Sequence, residues 1–163
     1  MKRIAVLLLA VVVPLGWAAP AQADPPLREV IEVDTTFVQE ECGFPVEIHI
    51  VATIIRTSYT DSDGTLTRAR EVYPHYQTSL TNLDTGEALD VHIPGPALYT
   101  YNPDGSLLTL VGTGPWLWYP ELDGEVGIFQ IRGRFEQRFN PDGTYTFKRV
   151  GAPPIDICAI LAA

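Results

Sequence analysis

Hydrophobic and polar residues alternate along most of this chain with a period of two. From Phe129 to Phe139 the odd positions are Phe129, Ile131, Gly133, Phe135, Gln137 and Phe139; the even ones are Gln130, Arg132, Arg134, Glu136 and Arg138. One face is buried and the other meets water, the pattern of an antiparallel strand. Val46, Ile48, Ile50, Ala52 and Ile54 repeat it on one side of an earlier segment, with Glu47, His49 and Thr53 opposite. Tyr145 and Phe147 repeat it again. No long helical period interrupts these segments, and only Asp156 to Leu161 predicts a short helical turn.

Turn signals separate the strands. They are Asp61-Ser62-Asp63-Gly64, Asp84-Thr85-Gly86-Glu87, Asn102-Pro103-Asp104-Gly105, Glu121-Leu122-Asp123-Gly124 and Asn140-Pro141-Asp142-Gly143. In the two Asn-Pro-Asp-Gly copies Asn accepts from the backbone, Pro presets φ, and Gly takes the positive φ that closes the hairpin. Gly86, Gly105, Gly124 and Gly143 recur every 19 residues, with Gly95, Gly114 and Gly133 close to midway between them. The residues between do not match from unit to unit, so a solenoid is not indicated. Long strands in a meander fit better, each bent near its middle where Gly lets the backbone kink. Pro96 and Pro115 sharpen two of those bends.

The expected fold is therefore all-β: an antiparallel up-and-down barrel of about seven or eight strands, with a two-sheet sandwich as the alternative. Short sequential connections and the absence of a long crossover favour the barrel, whose closure also removes edge strands.

The start of the chain reads differently. Met1-Lys2-Arg3, an apolar run from Ile4 to Trp17, and Ala21-Gln22-Ala23 have the form of a secretory signal peptide cleaved after Ala23. The run is too short for a bilayer span and is broken by Pro14 and Gly16, which argues against a membrane anchor. Residues 24–40 are then an N-terminal extension or first strand, and 41–163 a single barrel domain. Without Lys2 and Arg3 the chain has 9 Lys and Arg against 20 Asp and Glu, a net charge of about −11. Nucleic acid and anionic membranes both need clustered Lys and Arg, so neither is the expected partner. In an exported chain Cys42 and Cys158 are read as a disulfide, closing a loop of about 117 residues. The chain-entropy contribution of such a loop is roughly 5 kcal/mol.

The segment Glu41-Cys42-Gly43-Phe44-Pro45-Val46-Glu47-Ile48 resembles the opening of a family of small secreted β-proteins common in actinobacteria. The resemblance continues through Leu80-Thr81-Asn82, Gly95-Pro96, Gly112-Thr113-Gly114, Gly133-Arg134 and Asp156-Ile157-Cys158-Ala159. It covers most of residues 41–163 and implies an exported β-domain without implying a reaction. The pattern is also similar, at the level of fold, to lipocalin-like and allene-oxide-cyclase-like barrels.

Candidate chemistry is sparse. His49, His75 and His92 fall on separate strands without ligand spacing, and read as solvent-facing residues beside Glu47 and Asp90 rather than as a zinc site. Asp61-Ser62-Asp63-Gly64 lacks the later ligands of a calcium loop and reads as a hairpin. Ser58, Ser62, Ser79 and Ser106 occupy no nucleophile elbow, and neither a phosphate-cradling loop nor a dinucleotide fingerprint occurs, so no cofactor or metal is called for. Arg132, Arg134 and Arg138 form a stripe read as cross-strand partners of Asp and Glu, with an anion site as the alternative.

The aromatic residues carry most of the functional weight. Tyr99 and Tyr101 share one strand face, Trp116 and Trp118 another, with Tyr119 beside them and Tyr73 and Tyr76 on an earlier strand. A hairpin around Asn102 to Gly105 would set the two pairs side by side. Tyr and Trp combine apolar area with a polar handle, which suits a pocket wall or an interface as well as a core. The leading expectation is a secreted, non-enzymatic binding protein for a small apolar ligand or a partner protein. Its ligand-facing residues are Trp116, Trp118, Tyr99, Tyr101 and Tyr119. The alternatives are a cofactor-free isomerase or cyclase using a buried acid, for which Glu71, Glu47 and Asp90 are the nominees, and a structural or inhibitory envelope-associated protein.

Overall fold

In the computed structural model, residues 25–163 are described; the expected leader, residues 1–23, lies outside them. The chain forms strands β1 (Leu27–Gln39), β2 (Val46–Thr60), β3 (Leu66–Asn82), β4 (Ala88–His92), β5 (Pro96–Tyr101), β6 (Leu107–Thr113) and β7 (Trp116–Trp118). There follow β8 (Glu121–Leu122), β9 (Glu125–Val126), β10 (Phe129–Ile131), β11 (Arg134–Phe139), β12 (Tyr145–Val150), β13 (Ile155–Asp156) and the short helix α1 (Ile157–Leu161). All strand pairs are antiparallel. The all-β expectation holds, and the helical turn falls where Asp156 to Leu161 predicts it.

The main sheet has eight strands in the order β1-β2-β3-β5-β6-β11-β12, with β4 also paired to β3. A second sheet runs β13-β10-β7, and β8-β9 is a hairpin by itself. Among the described residues no ring of strands closes: β1 and β12 are the two ends of the main sheet. The reason lies in the bends. The long strands do break near their middles, so that β4 and β5, β6 and β7, and β10 and β11 are halves of single passes. At the corner β7 and β10 leave the main sheet and pair with each other, β13 joining β10, whereas β4 and β5 both stay paired to β3.

A row of glycines makes that corner. The Gly114 amide donates to the Gly133 carbonyl at 2.9 Å. A β-carbon on Gly114 would sit 2.7 Å from the Pro94 carbonyl oxygen, and one on Gly133 would collide with the carbonyl of Val150. Gly114 (φ 103°) and Gly133 (φ 105°) also hold backbone conformations that other residues avoid. Backbone approaches backbone here because no side chain intervenes.

The small sheet and α1 fold back over one end of the main sheet. Val46, Ile48, Ile50, Leu80 and Val91 from β2, β3 and β4 pack against Ile128, Ile157 and Leu161 in an aliphatic core. Asp156 caps α1, accepting from the Ala159 amide at 3.0 Å. Asn82 then donates to the Leu161 carbonyl at 3.0 Å and ties the helix end to β3. Cys42, in the turn before β2, is bonded to Cys158 in α1, with Cα atoms 5.1 Å apart across a sequence separation of 116. The disulfide fits an extracellular protein, and among the described residues no helix is long and apolar enough to cross a membrane.

Candidate functional site

The hairpin register separates the aromatic residues that the sequence grouped. Tyr99 pairs with Leu110 and Tyr101 with Leu107, whereas Trp116 and Trp118 lie beyond the glycine corner on β7. The expected side-by-side arrangement of the two pairs is therefore corrected: the corner carries the tryptophans out of the hairpin. They take three environments instead.

The first is a polar network. Tyr73 donates to the buried Glu71 carboxylate at 2.5 Å and lies 3.2 Å, hydroxyl to hydroxyl, from Tyr99. Arg56 stands 3.7 Å from the other oxygen of Glu71 and donates to the Tyr101 hydroxyl at 2.8 Å. The strand register explains the cluster: Arg56 is opposite Glu71 on β3, and Glu71 is opposite Ala97, two residues from Tyr99 on β5. Burial above all pushes the Tyr73 phenol well above its ordinary value, reinforced by Tyr99 and by the hydrogen bond to Glu71. Burial likewise raises Tyr99, with the hydrogen bond from Tyr73 pulling the other way. Of the nominated acids only Glu71 is enclosed in this manner; Asp90 is exposed and accepts from Ser79 at 2.6 Å, and Glu47 is half-buried.

The second environment is a cavity of about 100 Å³ between the two layers, lined by Tyr73, Tyr76, Trp116, Tyr119, Ile50 and Ile93. Tyr73 meets Tyr76 edge-on with centroids 5.6 Å apart and Trp116 at 5.5 Å. A register shift between Thr53 and Ile55 on β2 falls opposite Tyr73 to His75, and it turns both Tyr73 and Tyr76 toward this space. The Trp116 indole N–H is buried without a hydrogen-bond partner among the described residues. Burial raises the phenols of Tyr76 and Tyr119 as well, with Glu41 adding to the effect on Tyr119.

The third is a groove of about 480 Å³ where the β8-β9 hairpin approaches the turn between β11 and β12. Trp118 forms its floor with Phe147, ring centroids 4.5 Å apart, and Phe135 lies behind both. The Trp118 indole donates to the Glu121 carbonyl at 2.9 Å, which fixes the ring. Asp123, Thr144, Tyr145 and Gly143 complete the walls. Arg149 clamps Asp123 with two donors at 3.2 and 3.1 Å and so anchors the hairpin.

The remaining candidates sit elsewhere. His49 hydrogen bonds Asp34 on β1 at 3.0 Å rather than pairing with Glu47, while His75 and His92 are exposed on other strands. No cluster of three or more His, Cys, Asp or Glu with metal-binding geometry occurs among the described residues. Asp61 accepts from the amides of Asp63 and Thr65, as a hairpin turn requires. The arginine stripe finds little carboxylate: Arg134 stands 4.0 Å from Glu136 on its own strand and Arg132 donates to Gln130, so its reading as a set of cross-strand ion pairs is corrected. Gln130, expected on the wet face, is buried where β10 runs as the central strand of the second sheet, between β7 and β13.

Sequence reasoning missed Arg56. The signal was present: Arg56 continues the buried parity of Val46 to Ile54, where a charge demands a buried partner. Comparison with protein-family models, curated proteins and solved structures found no match to this chain.

Proposed function

We propose that this is an exported binding protein whose ligand site is the groove over Trp118, and that it works without catalysing a reaction. The observation that carries this is the groove itself. At about 480 Å³ it lies within the usual range of small-molecule sites, and an immobilised indole floors it beside a few polar groups. A ligand with one flat apolar face would stack on Trp118 and Phe147. Its polar edge would meet Thr144 and the hairpin backbone near Gly124.

The polar network favours binding over catalysis. Glu71 has Tyr73 on one oxygen and Arg56 3.7 Å from the other, and it lines neither the groove nor the cavity, where a general base would have to reach a substrate. The neighbouring cavity of about 100 Å³ has room for roughly three waters and not for a cyclisable substrate. Trp118 is the contact residue of this reading and Trp116 stands behind it against Phe135, whereas Tyr99, Tyr101 and Tyr119 lie outside the groove. We read the bent meander as an open, barrel-derived shell, sealed by aliphatic packing at one end and open at the groove.

The test is titration with the neutral dye N-phenyl-1-naphthylamine. Saturable fluorescence enhancement is expected, lost in Trp118→Ala and kept within about threefold in Trp116→Phe. Equal enhancement by the Trp118→Ala variant would remove the groove from consideration.

A further inference from the structure

The main sheet has one face covered by the second layer and one face open to solvent. Register assigns residues to the open face without ambiguity. Arg56, Glu71, Ala97, Gly112 and Phe135 form one continuous row across the strands, and Glu71, Ala97 and Phe135 are buried. The next row therefore faces out: from Arg28 on β1 it passes through Arg70, Leu98, Val111 and Glu136 to Lys148 on β12. On one side of it lies a row with Arg68 and Arg138; on the other, Val30, Ile55, Val72 and Pro96 lead towards Arg134.

Six of the chain's cations thus share one face: Arg28, Arg68, Arg70, Arg134, Arg138 and Lys148, all exposed. After residue 23 the sequence has nine Lys and Arg in all, so two thirds are gathered here in a strongly acidic protein. Of these six, only Arg134 has an ion-pair partner among the described residues, Glu136 at 4.0 Å, while Arg68 lies over the Tyr59 ring at 4.2 Å. Between the cations of β3 and those of β11, roughly 14 Å apart at about 4.8 Å per strand, the surface is Leu98 and Val111, bordered by Pro96 on one side and by the Thr100–Thr109 hydroxyl pair on the other. Leu98 is 41 % exposed at its centre, and Val30, 63 % exposed, extends the apolar surface on the far side of β3.

We propose that this outer face docks an acidic protein, one presenting carboxylates around a small apolar patch. An apolar centre inside an arginine-rich margin is the anatomy of a protein interface, where Arg is enriched and Lys depleted. Five of the six cations are Arg, whose planar fork grips carboxylates in pairs. The shape of the border argues against an extended anionic surface. Three hairpin tips edge this face and carry Asp61, Asp63, Asp104 and Asp142. Hydrogen bonds from Ser106 and Thr144 hold the Asp104 and Asp142 carboxyls below the usual range, so both stay ionised. A bilayer or a nucleic-acid duplex laid on the sheet would run into these charges; a folded partner of limited footprint would not. The apolar centre also lacks the protruding aromatic anchors that favour a membrane interface.

The test uses the purified protein and a synthetic 18-residue peptide of Glu and Leu patterned as an amphipathic helix. Binding is followed by fluorescence anisotropy beside vesicles containing 30 % phosphatidylglycerol and a DNA duplex. Saturable, salt-sensitive binding of the peptide is expected, weakened at least tenfold in the triple variant Arg68→Glu, Arg70→Glu, Arg138→Glu and about threefold in Leu98→Ser. Unchanged affinity in the triple variant, or tighter binding to vesicles or DNA than to the peptide, overturns the proposal. Thermal melting establishes that the variants fold. Hydrogen exchange on the wild-type protein gives a reading independent of any variant: the peptide should protect β3 and β5, and protection confined to the β8-β9 hairpin would also overturn it.

Discussion

The two ends of the main sheet are built on different principles. At the disulfide end, Val46, Ile48, Leu80, Ile128, Ile157 and Leu161 are almost wholly shielded, and the contacts among them are aliphatic. At the other end Phe135 is buried, but around it Trp116, Trp118, Phe147, Tyr99 and Tyr101 are only half-covered, and the interior carries an ion pair and linked phenols. Aliphatic side chains have no polar edge to satisfy, so they pack shut. Indoles and phenols do, and each hydroxyl or N–H draws the structure open or demands a partner. The first end holds the fold together; the second leaves aromatic surface partly exposed.

Breaking the first end should have the largest effect. The double variant Cys42→Ala, Cys158→Ala frees a loop spanning a sequence separation of 116, worth roughly 5 kcal/mol on chain-entropy grounds. That is comparable with the whole stability of a small domain. Urea denaturation of oxidised and variant protein measures it. A loss below about 1 kcal/mol would mean that Asn82, the α1 cap and the aliphatic core hold the helix unaided.

The glycine corner joins the two ends, and its replacement comes next. Gly133→Ala puts a β-carbon into the Val150 carbonyl at a φ of 105°, with backbone on the other side of the clash. A loss of about 3 kcal/mol or more is expected. Gly143 has a φ of 83° but open space around it, so Gly143→Val should cost about 1 kcal/mol, as should Gly105→Val. Equal melting midpoints for Gly133→Ala and Gly143→Val would show that the corner yields as easily as a hairpin tip.

Alkali should act on the aromatic end. The folded-state pKa values of Tyr73 and Tyr99 lie above the ordinary phenol value near 10, chiefly through burial. Both therefore contribute stability that is complete below about pH 10 and lost as pH rises beyond it, because the unfolded chain releases protons that the native state keeps. Each adds about 1.4 kcal/mol per pH unit to the fall. Tyr73→Phe and Tyr99→Phe should each flatten that slope, read from urea midpoints between pH 9 and 11. A slope unaffected by both substitutions contradicts the network.

How much of this was legible in the sequence depends on whether local pattern or register decides it. The turns at Asn102 to Gly105 and Asn140 to Gly143 follow from residue chemistry at each position, and the mid-strand glycines announced the bends. The alternation from Val46 to Ile54 gave the buried face of β2. What the alternation does not encode is which strand lies beside which. The Arg56–Glu71–Tyr73–Tyr99 network, the departure of Trp116 and Trp118 from their hairpin, and the gathering of arginines on the outer face all depend on pairing between strands distant in sequence. Overall charge says nothing of where the cations lie. A net excess of acid argues against a cationic surface only when the cations are spread evenly, and in this sheet they are not.

The smallest expected effect separates the two indoles. Trp116 and Trp118 both pack edge-on against Phe135, at 5.2 and 5.6 Å between centroids, yet their N–H groups differ. That of Trp118 donates to the Glu121 carbonyl, whereas that of Trp116 is buried without a partner among the described residues. An unsatisfied buried donor costs about 1–3 kcal/mol, and replacing it by an apolar group of similar shape removes that cost. Trp116→Phe also loses ring area against Tyr73, which opposes the gain. The two terms nearly cancel, so Trp116→Phe should change stability by less than about 1 kcal/mol. In Trp118→Phe nothing is relieved: a satisfied hydrogen bond and its share of the contact with Phe147 are lost, and the cost should exceed that of Trp116→Phe by about 1 kcal/mol. Urea denaturation of the two variants side by side measures the gap. A Trp116→Phe variant less stable than Trp118→Phe would mean that the Trp116 N–H is satisfied in solution, and that the cavity beside it, rather than the groove, is where a polar group binds.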